Sequence, residues 1–165
     1  MSSRKDVQMI VTDQIALCVS GVLNTPHIKN AGRNGVFIRV YDKESNNLML
    51  CGLFGAEILA EKFEKYSDYS YRKAEWLHFN SEALSSVESS GEVPGGAISG
   101  RKYIVSVSGL DPNDDSVLAI FVLAILENKI EDFHRRAEYI KSAKCQDEMN
   151  VIIKYQIEAL KEEIK

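Results

Sequence analysis

The sequence predicts an α+β fold, an antiparallel sheet covered by helices, with a charged helical extension at its C-terminal side. Three observations predict it. Two pairs of short segments read as hairpins, and one member of each, Val36–Tyr41 and Tyr103–Ser108, alternates its residues between two faces with the period of two that a half-buried strand requires. Flanking stretches instead space their apolar residues three and four apart, the helical period. From Glu127 to Lys165 the composition changes, because seventeen of thirty-nine residues are charged and no Gly or Pro interrupts them.

The elements follow in order. From Val7 to about Ile28 the apolar residues Ile10, Ile15, Val19, Val22 and Leu23 fit a helix broken near Pro26. Ala31–Gly35 is a loop by its glycines and asparagine. Val36, Ile38 and Val40 then alternate with Phe37, Arg39 and Tyr41, Asp42–Asn47 is a polar turn, and Leu48–Leu53 resumes the extended pattern. This reads as a hairpin with one buried face. Phe54-Gly55-Ala56 is expected to open a helical stretch to about Phe63. A second helix is expected from about Asp68 to Val87, with Tyr69, Trp76, Phe79, Ala83 and Val87 along its inner face. Ala97-Ile98 and Lys102–Ser108 suggest a second hairpin around Ser99–Arg101. Asp111–Asp115 has the chemistry of a helix start: Asp111 offers a capping oxygen, Pro112 has its φ preset, and Asp114 and Asp115 face the positive end of the dipole. The helix from Pro112 to about Asn128 is apolar nearly all round and should be central. Beyond it, Ile130, Phe133, Ala137 and Ile140 form one apolar stripe, and Ile153, Ile157, Leu160 and Ile164 another. The organisation expected is therefore an α/β domain over residues 1–128 and an amphipathic extension over 129–165.

At 165 residues and 18.5 kDa the chain has room for one core. Its net charge of −4 disfavours nucleic-acid binding, which needs a basic face to displace counterions from phosphates. The longest apolar run, Val117 to Leu126, is half the roughly 20 residues that a membrane helix needs, so no membrane association is expected. The N-terminal stretch predicts no secretory signal, and no CxxC pair occurs. Cys18, Cys51 and Cys145, odd in number and far apart, fit the reduced thiols of a cytoplasmic protein.

Several motifs fail on chemical detail. Gly95–Lys102 has two glycines five apart with a cation beyond, as a phosphate loop does. However, the Lys is one place late, no Ser or Thr follows it, and a strand rather than a helix comes next. Ser106–Gly109 lacks the Gly two residues before a nucleophilic Ser. Asp111, Asn113 and Asp115 open like a calcium loop, but Ser116 replaces the turn glycine and Val122 stands where the bidentate Glu belongs. His78, in the helix of Trp76 and Phe79, offers one imidazole able to ligate haem iron. Arg72 and Lys73, one turn earlier, read by default as solvent-facing charges.

In order along the chain, Val40–Asp42, Leu48–Leu53 and Gly55-Ala56 are similar to the "VVD…G.L…R.DGA" hairpin of the GlcG/HbpS-like family, which includes the C-terminal domain of PduO-type proteins. Arg72–Ala74 resembles that family's "KA" helix and Pro94–Gly96 its "PGG" loop. Ile104–Gly109, followed by Asp115 and Leu118-Ala119, resembles its "GAIGVSG…DE..A" strand and helix. The resemblance covers roughly Asp13 to Leu126. It implies a profilin-like layer that forms homo-oligomers, with haem or corrinoid binding in some members. Lys73, Ala74, Gly95, Gly96, Ser108, Gly109 and Asp115 carry it. The departures are Val105 and Ser106 in the strand, Phe54 for an acidic residue, and the extra tail.

These readings predict a cytoplasmic, oligomeric protein that binds a small ligand, with haem as a candidate. The expected site gathers Lys73, His78, Gly95, Gly96, Ser108 and Gly109, the glycines letting backbone approach a ligand closely. The alternative is an interaction module whose residues 129–165 dock on a protein partner or a second copy. An enzyme ranks last, since no nucleophile–base or metal-ligand set survives in the sequence.

Overall fold

A computed structural model describes residues 4–55 and 60–127. Its elements are α1 (Arg4–Leu23), α2 (Pro26–Asn30), β1 (Gly35–Asp42), β2 (Leu48–Gly55), α3 (Ala60–Phe79), β3 (Ala97–Ser99), β4 (Tyr103–Ser108) and α4 (Pro112–Leu126), with a 3₁₀ turn at Ser86–Ser89. The strands form one antiparallel sheet in the order β2-β1-β4-β3. The α+β class expected from the two hairpins is the class observed. The expected helical extension over 129–165 lies outside the described residues.

The two faces of the sheet are built differently. Val36, Ile38 and Val40 of β1, with Val105 and Val107 of β4, join Ile15, Cys18, Val19 and Val22 of α1 and the length of α4 in one apolar core. Burial lifts the Cys18 thiol to about 12, so it behaves there as a small apolar residue. From Asp114 to Ile125 every residue of α4 is buried, as its all-round apolar sequence requires. The opposite face, under α3, has only a small apolar cluster of Ala74, Leu77, Ala97 and Ile104. Tyr41, Trp76 and Ala83 pack on it, Phe63 meets Phe37, and polar contacts join them. Arg39 donates to Ser67 Oγ at 2.9 Å and Ser70 Oγ at 3.0 Å, while Ser106 Oγ donates to the Ser70 carbonyl at 2.7 Å.

Four expectations need correction. Phe54 and Gly55 complete β2 instead of opening a helix, because Phe54 pairs with Val36 and rests on the main core. One helix runs from Ala60 to Phe79, and the chain leaves it at Asn80, well before Val87. Its buried face is Tyr66, Ser70, Lys73, Ala74 and Leu77, whereas Phe79 is 74% exposed. Asp111 sits at the N-cap of α4 without making the capping hydrogen bond, and pairs instead with Arg33 at 3.5 Å.

Candidate functional site

The residues singled out in the sequence separate into an interior group and a surface group. Lys73 is 1% exposed and its ammonium donates to the Val107 carbonyl at 2.7 Å and to Asp115 Oδ2 at 3.2 Å. It is therefore not the solvent-facing charge that its helix position suggested. Lys73 belongs to α3 and Asp115 to α4, so the pair ties together the helices on opposite faces of the sheet. Gly96 makes this possible. Its φ of +128° suits glycine, and a Cβ there would stand 2.6 Å from Lys73 Nζ, 2.6 Å from the Val107 oxygen and 2.8 Å from Asp115 Cβ.

Asp115 also accepts from the Leu110 amide at 2.9 Å. Burial pushes its carboxyl up to about 7, outweighing the opposing pull of Lys73 and of that amide. Gly95 packs against Val87, Pro112 and Ser116. Ser108 is buried at the end of β4 opposite Phe37. Gly109, with φ +142°, turns the chain from β4 towards α4 against the Gly35 carbonyl. Lys73, Gly96 and Asp115 are thus brought together, with Gly95, Ser108 and Gly109 in the same interior region of the fold.

His78 lies apart from this group, on the outer side of α3. It lines an open groove of about 190 Å³ with Tyr41, Asn46, Tyr71, Ala74, Glu75 and Phe79. The His78 and Phe79 rings meet edge to face at 5.4 Å, and Arg39 lies over the Tyr71 ring at 5.8 Å. Across the Glu75–Phe79 ridge a wider cleft of about 310 Å³ is lined by Arg72, Trp76, Asn80, Glu92 and Val93. Trp76 Nε1 donates to Glu92 Oε2 there at 3.0 Å. Tyr41, Asn46 and Tyr71 were not anticipated in the sequence. The alternation of β1 places Tyr41 on the side of α3, and that was the one available signal.

The chemistry on offer is planar stacking, one imidazole and one carboxylate. Among the described residues no group of three or more His, Cys, Asp or Glu could hold a metal ion. Nor, among them, is any helix long and apolar enough to cross a membrane. No protein-family model, curated protein or solved structure matches this chain.

Proposed function

We propose that this protein binds a small planar ligand, with haem or another tetrapyrrole as the leading candidate, and that it works as a cytoplasmic homo-oligomer. The observation that carries the reading is the exposed imidazole of His78 at the mouth of a groove walled by Tyr41, Tyr71 and Phe79. The motif order resembling GlcG/HbpS-like proteins supports it independently. So does the buried Lys73–Gly96–Asp115 constellation, which accounts for three of the resembling positions as parts of the framework.

For haem the fit is to one edge only. His78 would hold the iron through its imidazole, and Tyr71 and Phe79 would offer stacking faces. At about 190 Å³ the groove is smaller than the roughly 300–1,000 Å³ of enclosing ligand sites, so a second copy would cover the remainder. Haem bound there would contribute a redox-active or gas-binding iron; the protein's part is to bind and orient it. Titrating haemin into the purified full chain tests this. A shifted Soret band is expected, and its titration should show haemin affinity weakened at least about tenfold in His78→Ala. A spectrum identical to free haemin would overturn the haem reading.

A further inference from the structure

We propose that two copies of this chain join by antiparallel pairing of β2 with its own copy, about a two-fold axis at Gly52. This deepens the oligomeric part of the proposed function and rests on it for assembly alone. β2 is the outer strand of the sheet, and among the described residues nothing pairs with its free edge. Edge strands in monomers are blunted by lysines, prolines or inward-pointing charges. The eight residues Leu48–Gly55 contain none of these; they read Leu-Met-Leu-Cys-Gly-Leu-Phe-Gly and are half-exposed or exposed throughout.

The surface beside this edge is also open. Cys51 and Leu53 face the side of α3, since they pair with Arg39 and Phe37, yet among the described residues α3 packs over β1, β4 and β3 rather than over β2. Phe63 meets Phe37 edge to face at 5.3 Å and continues the shelf with Tyr71, Leu48 and Met49, all at least 40% exposed. Their exposed surface is on the order of 400 Å², comparable with the largest apolar patch of a typical monomer, which is often functional, and about half of the roughly 800 Å² each partner gives to a stable interface.

A second copy fits better than the residues after Glu127. Unpaired strand N–H and C=O groups need another extended strand, whereas the stripes of 130–164 have helical spacing. Symmetry then limits the possible registers to those centred on a residue. A two-fold axis that makes one strand antiparallel to its copy within one sheet preserves the face of each side chain. It must therefore pass through a residue that opposes itself. The bulge between Val40 and Tyr41 disturbs β2 near Met49, leaving Leu50–Gly55 regular. Centring on Gly52 uses most of that segment, setting Cys51 against Leu53 and Leu50 against Phe54 of the copy. It also brings the two His78 grooves to the same side of the merged sheet. Gly52 has room for a side chain, since a Cβ there would meet only Phe54 Cε2 at 3.9 Å.

The full chain should scatter light as at least a dimer of its 18.5 kDa protomer. With Cys51 and Cys145 changed to Ser, Gly52→Cys should give a disulfide-linked dimer under mild oxidation, whereas exposed Asn47→Cys in the same background should not. Cys51→Lys should lower the mass to the protomer while leaving the far-ultraviolet circular dichroism unchanged. A monomeric wild-type chain, or an oligomer that does not link through Gly52→Cys, overturns the proposal. Neither measurement uses haemin, so failure to bind haemin would leave this interface standing, and a monomer that binds haemin would remove the interface and the oligomeric part of the proposed function while leaving haem binding.

Discussion

The buried ammonium of Lys73 is the residue with most at stake. Isolated in an apolar interior, a charge costs several kcal/mol, and only the Val107 carbonyl and the Asp115 carboxyl offset that cost here. Removing one partner should therefore be far worse than removing both. Asp115→Ala is expected to destabilise the protein by about 3–5 kcal/mol, while Lys73→Met combined with Asp115→Leu should recover much of that loss. Urea unfolding of the two single variants and the double variant measures the coupling, and additive losses would show that the ion pair is not a unit. The same residues set a pH dependence with a definite sign. Burial raises the carboxyls of Asp115 and Asp114, the latter against the pull of His27. Unfolding returns both to the ordinary range near ~4, so from roughly pH 4 up to the value of about 7 that Asp115 reaches the folded state holds the more protons, Asp114 adding in the same direction. The stabilisation from these groups is complete below that window and is lost as pH rises through it. Asp115→Asn, though less stable overall, should flatten the fall in urea midpoint between pH 4.5 and 7. An unchanged slope would assign the fall to other groups.

At the scale of elements, the strands were legible and the phase of one helix was not. The alternation of Val36, Ile38 and Val40 with Phe37, Arg39 and Tyr41 identifies two faces, and the structure uses both. The buried face of α3 escaped because it carries Ser70, Lys73 and Ala74, while Phe79 points outward and Trp76 is only partly buried at the edge of the apolar cluster. A periodicity argument seeks large apolar residues; this helix is instead held to the sheet by Arg39, Ser67, Ser70 and Ser106. The interior site was half-visible for a related reason. The glycines could be singled out, but the partner of Lys73 lies forty-two residues away on the other side of the sheet, and no local spacing reveals it. Gly96→Ala tests how tightly α3, β3 and α4 meet at this point. An added methyl would sit 2.6 Å from both Lys73 Nζ and the Val107 oxygen at a φ of +128°. Strain and overpacking together should cost on the order of 3–5 kcal/mol. A loss below about 1 kcal/mol by urea unfolding would mean that the junction relaxes easily.

For the whole molecule, the question is whether the domain closes at the end of α4. The last turn of α4 is finished by Glu127, whose backbone N–H bonds the Leu123 carbonyl and whose carboxylate accepts from the Lys102 amide at 3.0 Å. Among the described residues, both apolar clusters are assembled from residues 15–126, and α4 is finished within them. A chain ending at Asn128 should therefore melt within a few degrees of the full chain by calorimetry. It should also keep its oligomeric mass, because the proposed contact lies on β2, across the sheet from β3. If residues 129–165 instead provide the self-association, the shortened chain will fold with an unchanged melting profile but scatter light as a monomer. A shortened chain that does not fold would show that the stripes beginning at Ile130 and Ile153 complete the core themselves. The combined calorimetric and light-scattering result separates these three outcomes, since association through β2 requires both the fold and the mass to survive truncation.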